Sequence, residues 1–206
     1  MNVIDCKQGS EEWLAARCGM VTASNINCIM SKKENSKTRN DYKNRLADEI
    51  ITGKYDENRF ISDAMLWGIE HEDEAKNAYS LHSGNAVENV GFVIHPFIPK
   101  AGASPDGLVG SDGLLEIKCP NTETHLKYIK EGRIPPRYVN QITFQLACTN
   151  RDWVDFVSFD PRSPDGEKIF VKRMERDEES ICNIEQEVIK FLEEVWLLIG
   201  EKQSQN

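Results

Sequence analysis

The sequence contains no apolar run approaching the roughly 20 residues that cross a bilayer, so no membrane span is expected. Its first residues, 1–6, show no basic start followed by an apolar stretch, so no secretory leader is expected either. None of the six cysteines (Cys6, Cys18, Cys28, Cys119, Cys148, Cys182) stands in a C-x-x-C pair, which argues against a zinc site or a thioredoxin motif. Without a leader an even count does not imply disulfides, and the expectation is reduced thiols in a cytoplasmic protein. His71, His82, His95 and His125 lack metal-ligand spacing. His71-Glu72-Asp73-Glu74-Ala75 opens like a zinc-protease helix but has no second histidine four residues on. Repeats, linkers and low-complexity blocks are missing as well. So is an excess of positive charge: 25 Lys and Arg face 34 Asp and Glu, a net charge of −9. That total weighs against a phosphate-rich partner, which needs clustered Lys and Arg, although distribution matters more than the sum.

What is present is globular. The 206 residues are 39% hydrophobic and 29% charged, enough for one domain over 1–206 with a real core. The charge is unevenly spread. Residues 31–45 carry +4 and residues 124–137 carry +3, whereas 46–99 carry −7 and 175–206 carry −6. Two basic islands therefore sit in an acidic chain, either as solvated surfaces or as phosphate-facing patches.

Ser10 ahead of Glu11 and Glu12, with Trp13, Leu14 and Arg17 before Gly19, reads as a short capped helix. Thr22 or Ser24 caps a second helix with Ile26, Ile29 and Met30. Tyr42, Leu46 and Ile50 before Gly53 mark a third, and residues 62–83 before Gly84 a fourth. The pattern then changes. Residues 87–94 read as one strand, residues 114–118 as another, and 153–159 and 168–174 as two more. Helices are expected over 121–131 and 137–149, separated by Pro135-Pro136, and over 177–199 with an apolar face of Ile181, Ile184, Val188, Phe191, Leu192 and Val195. The fold class is α/β: a single domain with a central mixed β-sheet flanked by helices.

The chemistry concentrates in Ser104-Pro105-Asp106-Gly107 and Leu115-Glu116-Ile117-Lys118. Glu116 and Lys118 fall on one face of a strand, with Ile117 on the other. A hairpin around Asp112-Gly113 brings Asp106 beside Glu116. Two carboxylates and an ammonium then converge, and carboxylate oxygens are the hard ligands Mg²⁺ prefers. The Ile117 carbonyl is a further donor, and Lys118 is placed to orient or activate a water. A solvated hairpin with a surface Glu/Lys pair is the plainer reading of the tripeptide alone.

This P-D-x(n)-E-x-K pattern resembles the PD-(D/E)xK nuclease superfamily. The likeness extends further. Trp13-Leu14-Ala15-Ala16-Arg17, Gly19, Val21-Thr22-Ala23-Ser24, then Trp67-Gly68-Ile69-Glu70-His71-Glu72, the two motifs above continuing into Cys119-Pro120, and Tyr138-Val139-Asn140-Gln141 occur in the order seen in lambda exonuclease and the YqaJ-like viral recombinase family. The resemblance spans roughly residues 8–160 and implies roles for individual residues. Asp106, Glu116 and the Ile117 carbonyl would bind two Mg²⁺ ions, with Mn²⁺ also acceptable. Lys118 would activate or position the water, Glu72 would be the helix carboxylate near the metals, and Gln141 would lie beside the active site. Arg17, Thr22 and Ser24 would hold a terminal 5′-phosphate at a helix N-terminus, Met65 would part the terminal base pairs, and Ser104 would contact DNA. Each has a plainer reading: Arg17 paired with Glu11 or Glu12, Thr22 and Ser24 as N-caps, Gln141 as an interior amide, Met65 as core.

The resemblance further implies a Mg²⁺-dependent 5′→3′ exonuclease on double-stranded DNA ends. It would release mononucleotides and leave a 3′ single-stranded tail for recombination. A ring-shaped homotrimer, a single-strand annealing protein as partner, and a phage or prophage origin in a bacterial cytoplasm go with it. The alternatives are a restriction or repair endonuclease of the same superfamily, or a non-catalytic DNA-end binding protein. The basic islands 31–45 and 124–137 are the candidates to face phosphate.

Overall fold

The structure is a computed structural model that describes residues 1–31, 36–55 and 62–204. In chain order the elements are β1 (Asn2–Ile4), α1 (Glu11–Arg17), β2 (Val21–Thr22), a 3₁₀ turn (Ala23–Asn25), α2 (Ile26–Ile29), α3 (Lys37–Thr52), α4 (Asp63–Ser83), β3 (Val87–Glu88), β4 (Phe92–Ile94), β5 (Ala101–Ala103), β6 (Gly107–Val109), β7 (Gly113–Lys118), α5 (Thr122–Glu131), α6 (Pro136–Thr149), β8 (Trp153–Phe159), β9 (Ile169–Glu175) and α7 (Glu178–Ser204).

The helix punctuation follows the sequence. The Ser10 hydroxyl accepts the Trp13 N–H at the start of α1, and Ser62 accepts the Met65 N–H at the start of α4. Gly84 ends α4 at φ 74°, a left-handed conformation that costs a glycine little. Pro136 opens α6 at a position where no N–H is needed.

The strands fall into two mixed sheets. The larger has order β3-β6-β7-β8-β9, with β7 parallel to β8 and the other pairs antiparallel. A parallel neighbour requires a crossover, supplied by α5 and α6. The smaller has order β1-β4-β5-β2. This corrects the expectation of one strand over 87–94: β3 joins the larger sheet and β4 the smaller. The break is at Gly91, where a Cβ would stand 2.2 Å from the Ile4 carbonyl oxygen, so only glycine admits that approach.

The larger sheet is covered on both faces. On one side Ala75 and Tyr79 of α4 pack on Leu115, Ile117 and Val157. On the other, Leu114, Val154 and Phe156 join the main core with Phe144 and Leu146 of α6 and Phe191 and Val195 of α7. The Glu116 face of β7 is therefore interior, and the solvated-hairpin reading does not hold: Glu116 is 1% exposed. The six cysteines are unpaired thiols. Among the described residues no helix is long and apolar enough to cross a membrane.

Candidate active site

The hairpin register makes the site. The turn over 110–112 reverses the chain so that Val109 pairs with Gly113 and Gly107 with Leu115, and the Asp106 N–H donates to the Leu115 carbonyl at 3.1 Å. Asp106 thus lies against β7 beside Glu116, and its Oδ2 accepts the Ile117 N–H at 2.6 Å. The turn is anchored from outside. Gln8 Nε2 donates to the Pro105 carbonyl at 2.8 Å, and Trp13 Nε1 donates to Ser104 Oγ at 2.8 Å, tying α1 to this turn.

Glu116 is held on both oxygens. Gln141 Nε2 donates to Oε1 and Gln145 Nε2 to Oε2, each at 2.6 Å, and the Lys118 ammonium pairs with Oε1. Burial opposes the charge on Lys118, but Glu116 and Asp106 outweigh it and hold the ammonium well above the lysine range. Asp106 moves well above the usual carboxylate range: burial first, then Glu116 and Glu72, against Lys118 and the Ile117 N–H. Burial, with Asp106 and Glu72 behind it, also pushes the neighbouring Cys119 thiol up to about 12, which leaves it protonated and unreactive. Glu72 on α4 is 33% exposed and pairs with Lys76 at 2.8 Å.

A cleft of about 630 Å³ opens over these groups. It brings together Asp106, Glu116, Ile117, Lys118, Glu72, Gln141, Ser104, Arg17, Ser24 and Met65. These come from α1, the 3₁₀ turn, α4, β7, α6 and the Ser104–Asp106 turn, so the site exists only in the folded chain. Arg17 is buried, its guanidinium 4.0 Å from the Trp13 ring centroid and 3.5 Å from Ser24 Oγ. Met65 is 54% exposed on the cleft wall, so the core-methionine reading fails.

Thr22 is the exception. It is buried behind Ser24 and does not line the cleft; its hydroxyl accepts from Asn25 Nδ2 at 2.8 Å and lies 3.2 Å from Ser24 Oγ. The helix expected to start there is a 3₁₀ turn followed by the four residues of α2, without a side-chain cap. So short a segment has little dipole to offer an anion. Among the described residues no group of three or more His, Cys, Asp or Glu is gathered as a metal cluster; the oxygen donors at hand are Asp106, Glu116 and the Ile117 carbonyl, with Glu72 nearby.

The basic islands separate. Lys32 and Lys33 lie outside the described residues. Arg39 makes a bidentate pair with Glu194 of α7 at 2.6 and 2.7 Å, and Lys43 joins it at 3.2 Å, so these charges clamp two helices rather than face the cleft. In the second island Lys127 and Arg133 pair with Glu131, whereas Arg137 lines the cleft. Sequence reasoning passed over Gln145, and it named Trp13 and Tyr138 only within motifs and Arg137 only within the second basic island, without a role at the site. Helical spacing held a signal for two of them: Trp13 is four residues before Arg17, and Gln145 four after Gln141.

A family model described as the YqaJ-like viral recombinase domain matches residues 12–152. An alkaline exonuclease from Laribacter hongkongensis, LHK-Exo, is 44% identical, with a TM-score of 0.88 over 95% of this chain and 97% of that one. The structure of LHK-Exo in complex with dAMP matches with the same identity and coverage and a TM-score of 0.89. A phage-related exonuclease from Haemophilus somnus 129PT, 19% identical, shares the fold at a TM-score of 0.67 over 89% of this chain and 96% of that one. A search of curated proteins found no match. With that model spanning two thirds of its length and the motifs in family order, the chain belongs to the YqaJ-like viral recombinase family, of the lambda exonuclease type, on the PD-(D/E)xK nuclease fold.

Proposed function

We propose that residues 1–206 form a single Mg²⁺-dependent exonuclease domain acting 5′→3′ on double-stranded DNA ends. It releases mononucleotides and leaves a 3′ single-stranded tail for strand annealing. The observation that carries this reading is the convergence of Asp106, Glu116 and Lys118 on the floor of a cleft walled by Arg17 and Ser24. The 44% identity to an alkaline exonuclease supports it, and that relative's complex with dAMP fits a mononucleotide product.

The donor set fits a hard divalent cation. Asp106, Glu116 and the Ile117 carbonyl would hold it, with Glu72 beside them; Mn²⁺ suits the same oxygens. The fit rests on Asp106, whose pKa is driven up because burial and two neighbouring carboxylates leave negative charge that Lys118 only partly offsets. When bound, two such ions stabilise charge on the scissile phosphate and make water a better nucleophile.

The chain's own groups do the rest. Lys118, kept charged, orients water and balances the phosphate. Gln141 and Gln145 hold the Glu116 carboxylate in one orientation. Arg17 and Ser24 take the terminal 5′-phosphate, which sets the polarity. Met65 stands at the cleft rim where an apolar side chain parts the end base pair, and Ser104 keeps Trp13 and α1 over the site. In the cell the enzyme works as a ring-shaped homotrimer beside a single-strand annealing protein in a bacterial cytoplasm.

The test is a digestion time course on linear duplex labelled at either end, with and without Mg²⁺. The expected result is Mg²⁺-dependent loss of the 5′ label as mononucleotide, with the 3′ label retained on a long strand and covalently closed circles untouched. Cleavage of closed circles would point to an endonuclease instead.

A further inference from the structure

In an acidic chain, an arginine left without a carboxylate is informative. Arg39, Arg45, Arg133, Arg162, Arg173 and Arg176 each stand within ion-pair distance of an acid. Arg151 is spent on the carbonyls of Val109, Gly110 and Gly113. Arg137 is different. It is exposed on the cleft wall, and no carboxylate of the described residues lies within ion-pair distance.

Its position is nonetheless held. The guanidinium stacks 4.7 Å from the Tyr138 ring centroid and donates through Nη2 to the Tyr128 hydroxyl. The backbone is pinned as well: the Arg137 carbonyl accepts from Asn27 Nδ2 at 2.6 Å. The Lys118 ammonium stands 5.3 Å from the same Tyr138 ring. Arg137 and Lys118 thus both stand within cation–π distance of one aromatic ring, which places the arginine close to the candidate catalytic lysine.

We propose that Arg137 is a phosphate-binding residue of the cleft, contacting the backbone of the DNA strand next to the nucleotide being cleaved. The inference rests on the exonuclease reading and deepens it. A guanidinium offers a fork of donors to phosphate oxygens, and stacking on tyrosine orders it before binding. One hydrogen bond to Tyr128 and a stack on the Tyr138 ring leave donors of the guanidinium for a ligand. The neighbouring carboxylates repel DNA, so an unpaired cation at this place offsets that repulsion where the strand must enter.

The experiment is the salt dependence of binding. A fluorescein-labelled blunt duplex with a 5′-phosphate is titrated by anisotropy with wild type, Arg137→Gln, Arg137→Lys and Arg133→Gln in Ca²⁺. Degradation in Mg²⁺ is measured in parallel. Each neutralised phosphate adds about 0.9 to the slope of log affinity on log salt for duplex, and about 0.7 for single strand. Arg137→Gln should lose about that much slope and raise KM, with kcat within about twofold of wild type. Arg137→Lys should keep the slope because it keeps the charge, and Arg133→Gln, outside the cleft, should match wild type. A melting curve of Arg137→Gln reports any loss from the Tyr128 bond. An unchanged slope in folded Arg137→Gln overturns the inference while leaving the exonuclease reading intact. Failure of wild type to bind and degrade duplex ends overturns both.

Discussion

Lowering the pH from about 7.5 to about 4 should cost this protein about 3 kcal/mol of stability through one side chain, His95. The ring is buried in the turn between β4 and β5. Its Nδ1 accepts the N–H groups of Phe97 at 3.2 Å and Ile98 at 3.0 Å, and Nε2 lies 3.0 Å from Glu185 Oε1. With Nδ1 accepting, the proton belongs on Nε2, where it is donated to Glu185. A second proton would have to enter between two N–H donors. Burial pulls the pKa from 6.5 to about 4. At about 1.4 kcal/mol per unit, the unfolded chain takes up a proton that the folded chain refuses. Stability is therefore complete above the unfolded pKa, falls between about 6.5 and 4, and levels off below. Glu185, whose carboxyl burial pushes up, works in the opposite direction and returns part of the loss. The assay is urea unfolding across this range at fixed protein concentration, for wild type and His95→Asn. Asparagine can still accept from the two N–H groups but does not titrate. The wild-type curve should fall more steeply, by a few kcal/mol at pH 4. Parallel curves would refute the reasoning.

Asp106→Asn should abolish degradation, by at least about 100-fold, yet raise the melting temperature without metal. It removes a buried carboxylate that burial, Glu116 and Glu72 disfavour, and it keeps an acceptor for the Ile117 N–H; full activity, read in the labelled-end digestion, would sink the catalytic assignment. Arg17→Ala should slow digestion of 5′-phosphorylated ends by roughly 10- to 100-fold, since a charge-assisted hydrogen bond contributes about 1.5–3 kcal/mol. Ends with a 5′-hydroxyl should be affected much less, and equal loss on both would contradict the phosphate role. Gln145→Leu strands the buried Glu116 Oε2 and should lower the unfolding free energy by about 1–3 kcal/mol, measured in urea.

The hairpin of the candidate site was legible because it is local. The turn ending at Asp112 sets the register, and the two-residue period then places Glu116 and Lys118 on one face. The helix starts at Ser10 and Ser62 and the stops at Gly53 and Gly84 were legible for the same reason: a cap concerns residues within one turn. The break at Gly91 was not, because its cause is the Ile4 carbonyl of a strand 87 residues away. Nor was the burial of Glu116, since an alternating strand reads the same whether its second face meets water or α6. Thr22 and Ser24 stand two apart in sequence, and only packing against Asn25 decides that one lines the cleft and the other lies behind it.

The amino-acid order by itself determined the longer helices, the hairpin and the identity of the groups that meet at Asp106, since propensity, caps and strand period act over a few residues. The tertiary structure decided which charges remain available. It spent Arg39 and Lys43 on Glu194 of a distant helix and left Arg137 open on the cleft. Ion pairs form between side chains brought within 4 Å by folding, and separation along the chain does not predict that distance.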